Sequence, residues 1–423
     1  MIDMVGIGPF ISMSLIIGAM NGPACILAWI LGAVLSLCDG MVWSELGAAY
    51  PEAGGSYVFL QKLYPGKWGK LFSFLYIWQT TLQAPLVIAS GAIGFSSYLT
   101  YILPLEEWQK HVISGALVIA ITLLLYRDIK TTGKMGVIMS IVVIGVLLWL
   151  IFAGFTHFDT QLAFGDFSKG INFSSVFFAG LGMASVKSMY SFLGYYNVCH
   201  LGGEIKNPSK NIPRSIIISI LGIAILYLCM QTSVLGVLPW KEARDSKFVA
   251  SLFFERIYGH QVALVATGLI LLVAISSLFA VMLGYSRVLY AAAAEGNYFK
   301  VFAKVHPRLH IPHASILILG GIAFVFSLFF TLGDAIKAIL AMRILVQFVS
   351  QAIGIVLLHR KKESHEILKF KMPFFPLPVV LAIGIWIYIY LATDLKFILG
   401  SLGVLGLGLI VFRVWRGNLS KIS

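Results

Sequence analysis

Apolar runs long enough to cross a bilayer, roughly 20 residues each, alternate with short polar breaks along nearly the whole chain. Runs over residues 24–49, 68–103, 111–126, 133–155, 213–238, 261–294, 313–332, 335–359, 376–393 and 396–415 each predict an uninterrupted membrane helix. Residues 57–64 and 247–258 are shorter and read as surface helices. Two further runs are interrupted. The first carries Gly6-Ile7-Gly8-Pro9 ahead of a short helix over residues 10–20. The sixth begins near Phe173 and changes character at Ser191-Phe192-Leu193-Gly194-Tyr195.

The sixth run is the informative one. Ser191 and Gly194 are poor residues for the middle of a span. About seventeen residues at 1.5 Å each precede them, so the interruption falls deep in the bilayer. Backbone left open at that depth is tolerated only inside protein or against a watery cavity. Interrupted helices in corresponding positions of two halves are the sequence mark of a transport site. The two breaks lie five spans apart. Five is odd, so the copies run in opposite senses through the membrane. The reading is therefore two inverted units, residues 1–155 and 171–360, with two added helices over residues 373–416.

Three stretches carry a resemblance to a known family. They are Met4-Val5-Gly6-Ile7-Gly8-Pro9-Phe10, then Glu204-Ile205-Lys206-Asn207-Pro208 with Asn211-Ile212-Pro213-Arg214, and Ser286-Arg287-Val288-Leu289-Tyr290-Ala291 followed by His306-Pro307 and Ile311-Pro312. Together they resemble the amino acid permeases of the amino acid–polyamine–organocation (APC) transporter superfamily, over essentially the whole chain. The resemblance implies an all-α polytopic membrane protein: a 5+5 inverted-repeat helix bundle plus two helices, about twelve spans. One departure stands out. Only five residues precede Gly6, where a half-helix to the inner surface needs about ten. The first half of helix 1 is absent from the sequence, and the expectation is a chain truncated at its start.

Composition agrees with a membrane protein. The chain is 59% hydrophobic and 12% charged, against about a quarter charged in soluble domains. The net charge of +13 does not form a nucleic-acid stripe. About 21 of the 31 Lys and Arg fall on one alternating set of loops and tails, and about 8 on the other. The richer set includes Lys62, Lys67 and Lys70, Arg127, Lys130 and Lys134, Lys300, Lys304 and Arg308, Lys361, Lys362 and Lys369, and Arg416. The positive-inside bias places that set, and the C-terminus, in the cytoplasm of a cell membrane. Cys25, Cys38, Cys199 and Cys229 sit in or beside apolar segments and read as packing residues.

The breaks supply the chemistry. A zwitterion needs donors for its carboxylate and acceptors for its ammonium. Gly6, Ile7 and Gly8 present backbone N–H groups at a helix N-terminus, where the dipole favours an anion. Pro9 suits the first turn because its missing N–H has no partner there in any case. By resemblance, the carbonyls of Tyr190, Ser191 and Leu193, with Met4, take the ammonium. Phe192, Tyr195, Tyr196 and the third helix near residues 79–84 are expected to select the side chain. A G-x-G alone is more often a packing or kink element. Its pairing with the second break reverses that balance. It is not a nucleotide loop, since Ile11 occupies the third glycine position, and no cofactor or metal is called for.

Four other residues are candidates for ion coupling or gating. Lys187 precedes the break by about one turn. It is either a proton carrier or a side chain reaching the outer vestibule. Ser276 and Ser277 fall where related transporters bind sodium, though serine pairs commonly serve as interhelical glue. Arg343 is expected to face the outer vestibule or a carbonyl, with an outer-gate role as the sharper alternative. Asp39, Glu45 and Glu204 are expected to contact Arg287 at an inner gate, or else to be ordinary interfacial charge. Cys199-His200 with Glu204 lacks zinc spacing. No nucleophilic triad is visible, so an enzyme is not expected. The expected function is secondary transport of amino acids, neutral ones first for want of midplane acids, coupled to H+ or Na+ or working by exchange. A polyamine or cationic amino acid antiporter and a non-transporting amino acid sensor are the alternatives.

Overall fold

The computed structural model describes residues 4, 6–127, 132–307, 309, 311–361 and 364–419. Side chains of residues 127, 132–140, 364–365 and 416–419 lie outside that description. So do Met1 to Asp3 and Val5, which bear on the expected truncation, and the loop cations Lys130, Lys134, Arg308, Lys362 and Arg416. The chain is 81% helical, with no strand among the described residues.

The helices in order are α1 (Gly8–Met20), α2 (Ile26–Ala49), α3 (Ser56–Leu63), α4 (Lys67–Leu99), α5 (Glu107–Arg127), α6 (Thr132–Thr156), α7 (Thr160–Phe164), α8 (Ser175–Phe192), α9 (Pro208–Leu235), α10 (Trp240–Asp245), α11 (Val249–Tyr258), α12 (His260–Ala294), α13 (His313–Phe329), α14 (Leu332–Arg343), α15 (Ser350–His359), α16 (Ser364–Ile367), α17 (Leu377–Leu391) and α18 (Leu395–Leu419). Seven helices among the described residues are long and apolar enough to cross a membrane alone: α2, α4, α5, α9, α12, the joined α14–α15 and α18. α6, which turns sharply into α7, the broken α8 and the shorter α1, α13 and α17 account for the other expected spans, so each apolar run is helical.

Local chemistry sets several boundaries. Ser174 caps α8 by accepting from the Phe177 N–H at 3.2 Å, and Thr331 caps α14 through the Asp334 N–H at 3.2 Å. Asn207 takes the left-handed conformation and Pro208 opens α9, a pairing that turns the chain sharply into a helix. Pro213, read as the start of that helix, lies inside it. The segment 247–258, read as a surface helix, becomes α11, which buries Val249, Phe253 and Phe254 completely.

Packing follows a pattern. α1 lies on α8, α2 on α9, α4 on α12 and α5 on α13. Glycines of α2 let it approach both α8 and α9. A Cβ at Gly32 of α2 would meet the Phe192 ring at 3.1 Å, and one at Gly40 would meet Ile220 Cδ1 at 2.4 Å. Large apolar side chains ring the outside, with Phe152, Val176 and Phe329 each at least 70% exposed. Such a surface is stable only against lipid or another apolar layer. The chain is a multi-pass membrane protein.

Candidate functional site

The two interruptions meet. α8 stops at Phe192, and Leu193 swings to an extended conformation. Gly194 then takes φ +113°, a region that side chains avoid. The chain resumes as a 3₁₀ turn over Asn197–His200. The Leu193 N–H still donates to Met189 O at 3.1 Å. The carbonyls of Tyr190, Ser191 and Phe192 have no partner further along α8. At the other break α1 begins at Gly8 with no side-chain cap and with Pro9 in its first turn. Its leading N–H groups are therefore available to an anion.

Three observations fix the breaks against each other. A Cβ on Gly8 would lie 3.4 Å from the Tyr190 ring and 3.7 Å from the Ser191 Cα. The Ser12 and Ser191 hydroxyls are 2.8 Å apart. The Tyr227 hydroxyl, from α9, donates towards both Met4 O at 2.7 Å and Ser191 O at 3.2 Å. One phenol thus ties the carbonyls of both broken helices. Gly6 faces α12, where its missing Cβ leaves 3.1 Å to the Ser277 Cβ.

The expected residues sort by position. Met4, Gly6, Ile7, Gly8, Tyr190 and Ser191 stand at the meeting point. Leu193 packs with Leu86 of α4 and with Ala338 and Ile339 of α14. Tyr190 reaches α4 at Ser90, hydroxyl to hydroxyl, at 2.8 Å. The part of α4 level with the breaks is therefore Leu86 to Gly94, and residues 79–84 lie one to two turns nearer the lysine-rich end. Phe192 is fully buried, edge-on to Trp29 and near Tyr227. Tyr195 donates to Asp39 Oδ2, and Tyr196 stacks on Trp43 at 4.7 Å.

Three expectations are corrected. Arg343 faces neither the outer vestibule nor a carbonyl. It is 5% exposed, near the middle of the α14–α15 span. Its guanidinium donates to the hydroxyls of Tyr196 and Tyr285 and lies 5.6 and 5.8 Å from their ring centres. Position counted from a helix end could not show that the turn after α8 and helix α12 both bring tyrosines to it. Second, Asp39 and Glu45 do not contact Arg287. Asp39 is fully buried and also accepts from Trp386 Nε1 at 3.2 Å. Glu45 is fully buried against His359 Nε2 at 2.8 Å and the Met372 N–H at 3.2 Å. Arg287 and Glu204 are exposed. Third, a carboxylate does sit deep in the bundle, since Asp39 meets the tyrosine that follows the break.

Lys187 donates to Leu15 O at 2.8 Å. It lines an open groove of about 460 Å³ between α1 and α8, together with Gly18, Gly180 and Arg244. A groove of this kind is vestibule-like. Ser276 and Ser277 are half-buried on α12, and Ser277 donates back to Ala274 O at 3.1 Å. Tyr227, Tyr285 and Asp39 had no motif to announce them. A lone tyrosine in an apolar run gives no local sign of its partner.

The "Amino acid permease" family profile matches residues 1–401. The chain belongs to the amino acid permease family. Among curated proteins it is similar to the cationic amino acid transporter 4 of Mus musculus, 27% identical over 85% of this chain and 58% of that protein. It therefore spans less than two thirds of that relative. It is 24% identical to the branched-chain amino acid permease BcaP of Bacillus subtilis (strain 168), over 100% of this chain and 93% of the relative. It is 28% identical to that organism's aspartate-proton symporter, over 75% of this permease and 62% of the relative.

Proposed function

We propose that this permease is a secondary carrier that moves zwitterionic amino acids across the cell membrane by alternating access. The observation that supports it is the junction of the two breaks. Uncapped N–H groups of Gly6 to Gly8 lie beside the end of α8, where the carbonyls of Tyr190, Ser191 and Leu193 are proposed to receive the ammonium and one phenol, Tyr227, bridges Ser191 O to Met4 O. The substrate carboxylate binds the first set, and its ammonium binds the carbonyls of the second with Met4. The pairings of α1 with α8, α2 with α9, α4 with α12 and α5 with α13 support two inverted units, residues 1–155 and 171–360. Movement of one unit against the other opens the site to each side in turn. The lysine-rich loops and the C-terminus lie in the cytoplasm.

Arg343 argues against a cationic side chain. At an effective dielectric constant of 20, a second cation about 8 Å away costs about 2 kcal/mol. Asp39 is hydrogen-bonded to Tyr195 and Trp386 and not to Arg343, so it does not pair the guanidinium. The names of the three relatives span cationic, branched-chain and acidic substrates, so kinship leaves the side chain open. The test is counterflow in proteoliposomes loaded with unlabelled amino acids. Labelled substrate is expected to accumulate transiently against its gradient. Saturable binding without counterflow would make the protein a sensor and overturn the proposal.

A further inference from the structure

Arg343 is buried in a region where most of the unpaired polar groups are donors. Burying a guanidinium is costly unless an anion meets it. Here only phenols do: Tyr196 and Tyr285 take its terminal nitrogens, and its Nε is buried with no acceptor. Three further buried nitrogens in this region have no acceptor, the side-chain amides of Gln79, Gln83 and Gln347. Each of these glutamines is at most 4% exposed.

Their placement follows from the packing of α4 on α14 and the π-helical segment Ile344–Val349 that continues it. Leu86 packs against Ala338 and Ile339, and Ile77 falls in the same buried cluster as Val346. The two elements therefore run antiparallel. Gln83 and Gln79 fall between the first level and the second on α4, as Arg343 does on α14. Gln347 follows Arg343 by one turn. The π-helical turn at that point widens the spiral, a feature common at functional sites. These four groups, one of them permanently charged, are buried at neighbouring levels of α4 and the α14 span, and a set of donors of this kind is complementary to a carboxylate.

The level of Ile339 is also that of Leu193, at the break. Arg343 lies four residues on, about 6 Å along the helix. That is the reach of a dicarboxylic amino acid whose backbone end is held at the break.

We propose that Arg343, with Gln79, Gln83 and Gln347, forms a subsite for the side-chain carboxylate of an acidic amino acid, of glutamate length. The proposal rests on the carrier reading above. Asp39 is held by Tyr195 and Trp386 and makes no hydrogen bond to Arg343. The phenols on Arg343 hold the guanidinium when the subsite is empty and can yield to a carboxylate, a stronger acceptor.

The test uses the full chain in proteoliposomes with glutamate, glutamine, leucine and lysine as separate counterflow substrates. Glutamate is expected to be carried at least tenfold better than glutamine, and lysine not at all. Arg343→Gln should lower glutamate counterflow at least tenfold and glutamine counterflow less than threefold. Should that variant fold poorly, thermal unfolding of the unaltered protein in detergent decides: millimolar glutamate should raise Tm and glutamine should not. Equal handling of glutamate and glutamine, or preference for lysine, overturns the subsite and leaves the carrier standing. Failure of every amino acid to bind or exchange overturns both.

Discussion

At the scale of single residues, the site depends on side chains that are missing as much as on those present. A Cβ on Gly6 would stand 3.1 Å from the Ser277 Cβ. Neither atom can rotate away, so α1 would have to shift by tenths of an ångström. The N–H groups proposed to hold the substrate carboxylate would shift with it. Gly6→Ala is therefore expected to weaken substrate binding about tenfold, which is about 1.4 kcal/mol. Adding Ser277→Gly removes the opposing Cβ and should recover most of the loss. Competition binding on the two variants checks this, and a Gly6→Ala protein of unchanged affinity would show that the close approach does not matter. Gly6, Gly8 and Gly194 were legible because the reason for them is local: a glycine inside a span has few other uses. Tyr227, Asp39 and Tyr285 were not, because their meaning lies in partners from 36 to more than 200 residues away.

At the scale of helices, periodicity and length gave the order of elements and the break in α8 to within a residue or two. Depth was harder to read. α4 has 33 residues, about 50 Å of helix, more than a bilayer needs. Its register against α8 is set by where Ser90 meets Tyr190, not by counting from an end. The π-helical turn after Arg343 also left no mark, since its residues are ordinary apolar helix formers apart from Gln347. The close layering of α2 on α9 makes a distinct prediction. A methyl group at Gly40 would need Ile220 Cδ1, 2.4 Å away, to move, and Ile216 Cγ2 is already at 3.2 Å. Overpacking of this kind costs about 1–3 kcal/mol, so Gly40→Ala should unfold at a lower temperature in detergent. Gly384 of α17 has open space around it. Gly384→Ala should be neutral or gain up to about 1 kcal/mol from helix propensity. Equal Tm values for the two variants would mean that the α2–α9 layer is not close-packed.

At the scale of the whole molecule, charge placement predicts which way the permease faces. Lys62, Lys67, Lys70, Lys300, Lys304 and Lys361 cluster at one end of the bundle, and Lys169 and Lys241 lie at the other. Translocation of basic loops is strongly disfavoured, so the lysine-rich end should stay in the cytoplasm. With that orientation α8 descends from the outer face, and its break opens towards Tyr195, Tyr196 and Arg343 on the inner side. The vestibule beside Lys187 and Arg244 then faces the medium. Single cysteines test this in intact cells. Cys25, Cys38 and Cys199 are buried and Cys229 is half-buried, so the native background is low. A membrane-impermeant maleimide should label Lys169→Cys, whose parent side chain is 77% exposed. It should label the exposed Lys304→Cys only after the membrane is opened. The reverse pattern would turn the bundle over. The proposed acidic subsite would then lie on the outer side of the break, and an incoming substrate would meet Arg343 before it met Gly6.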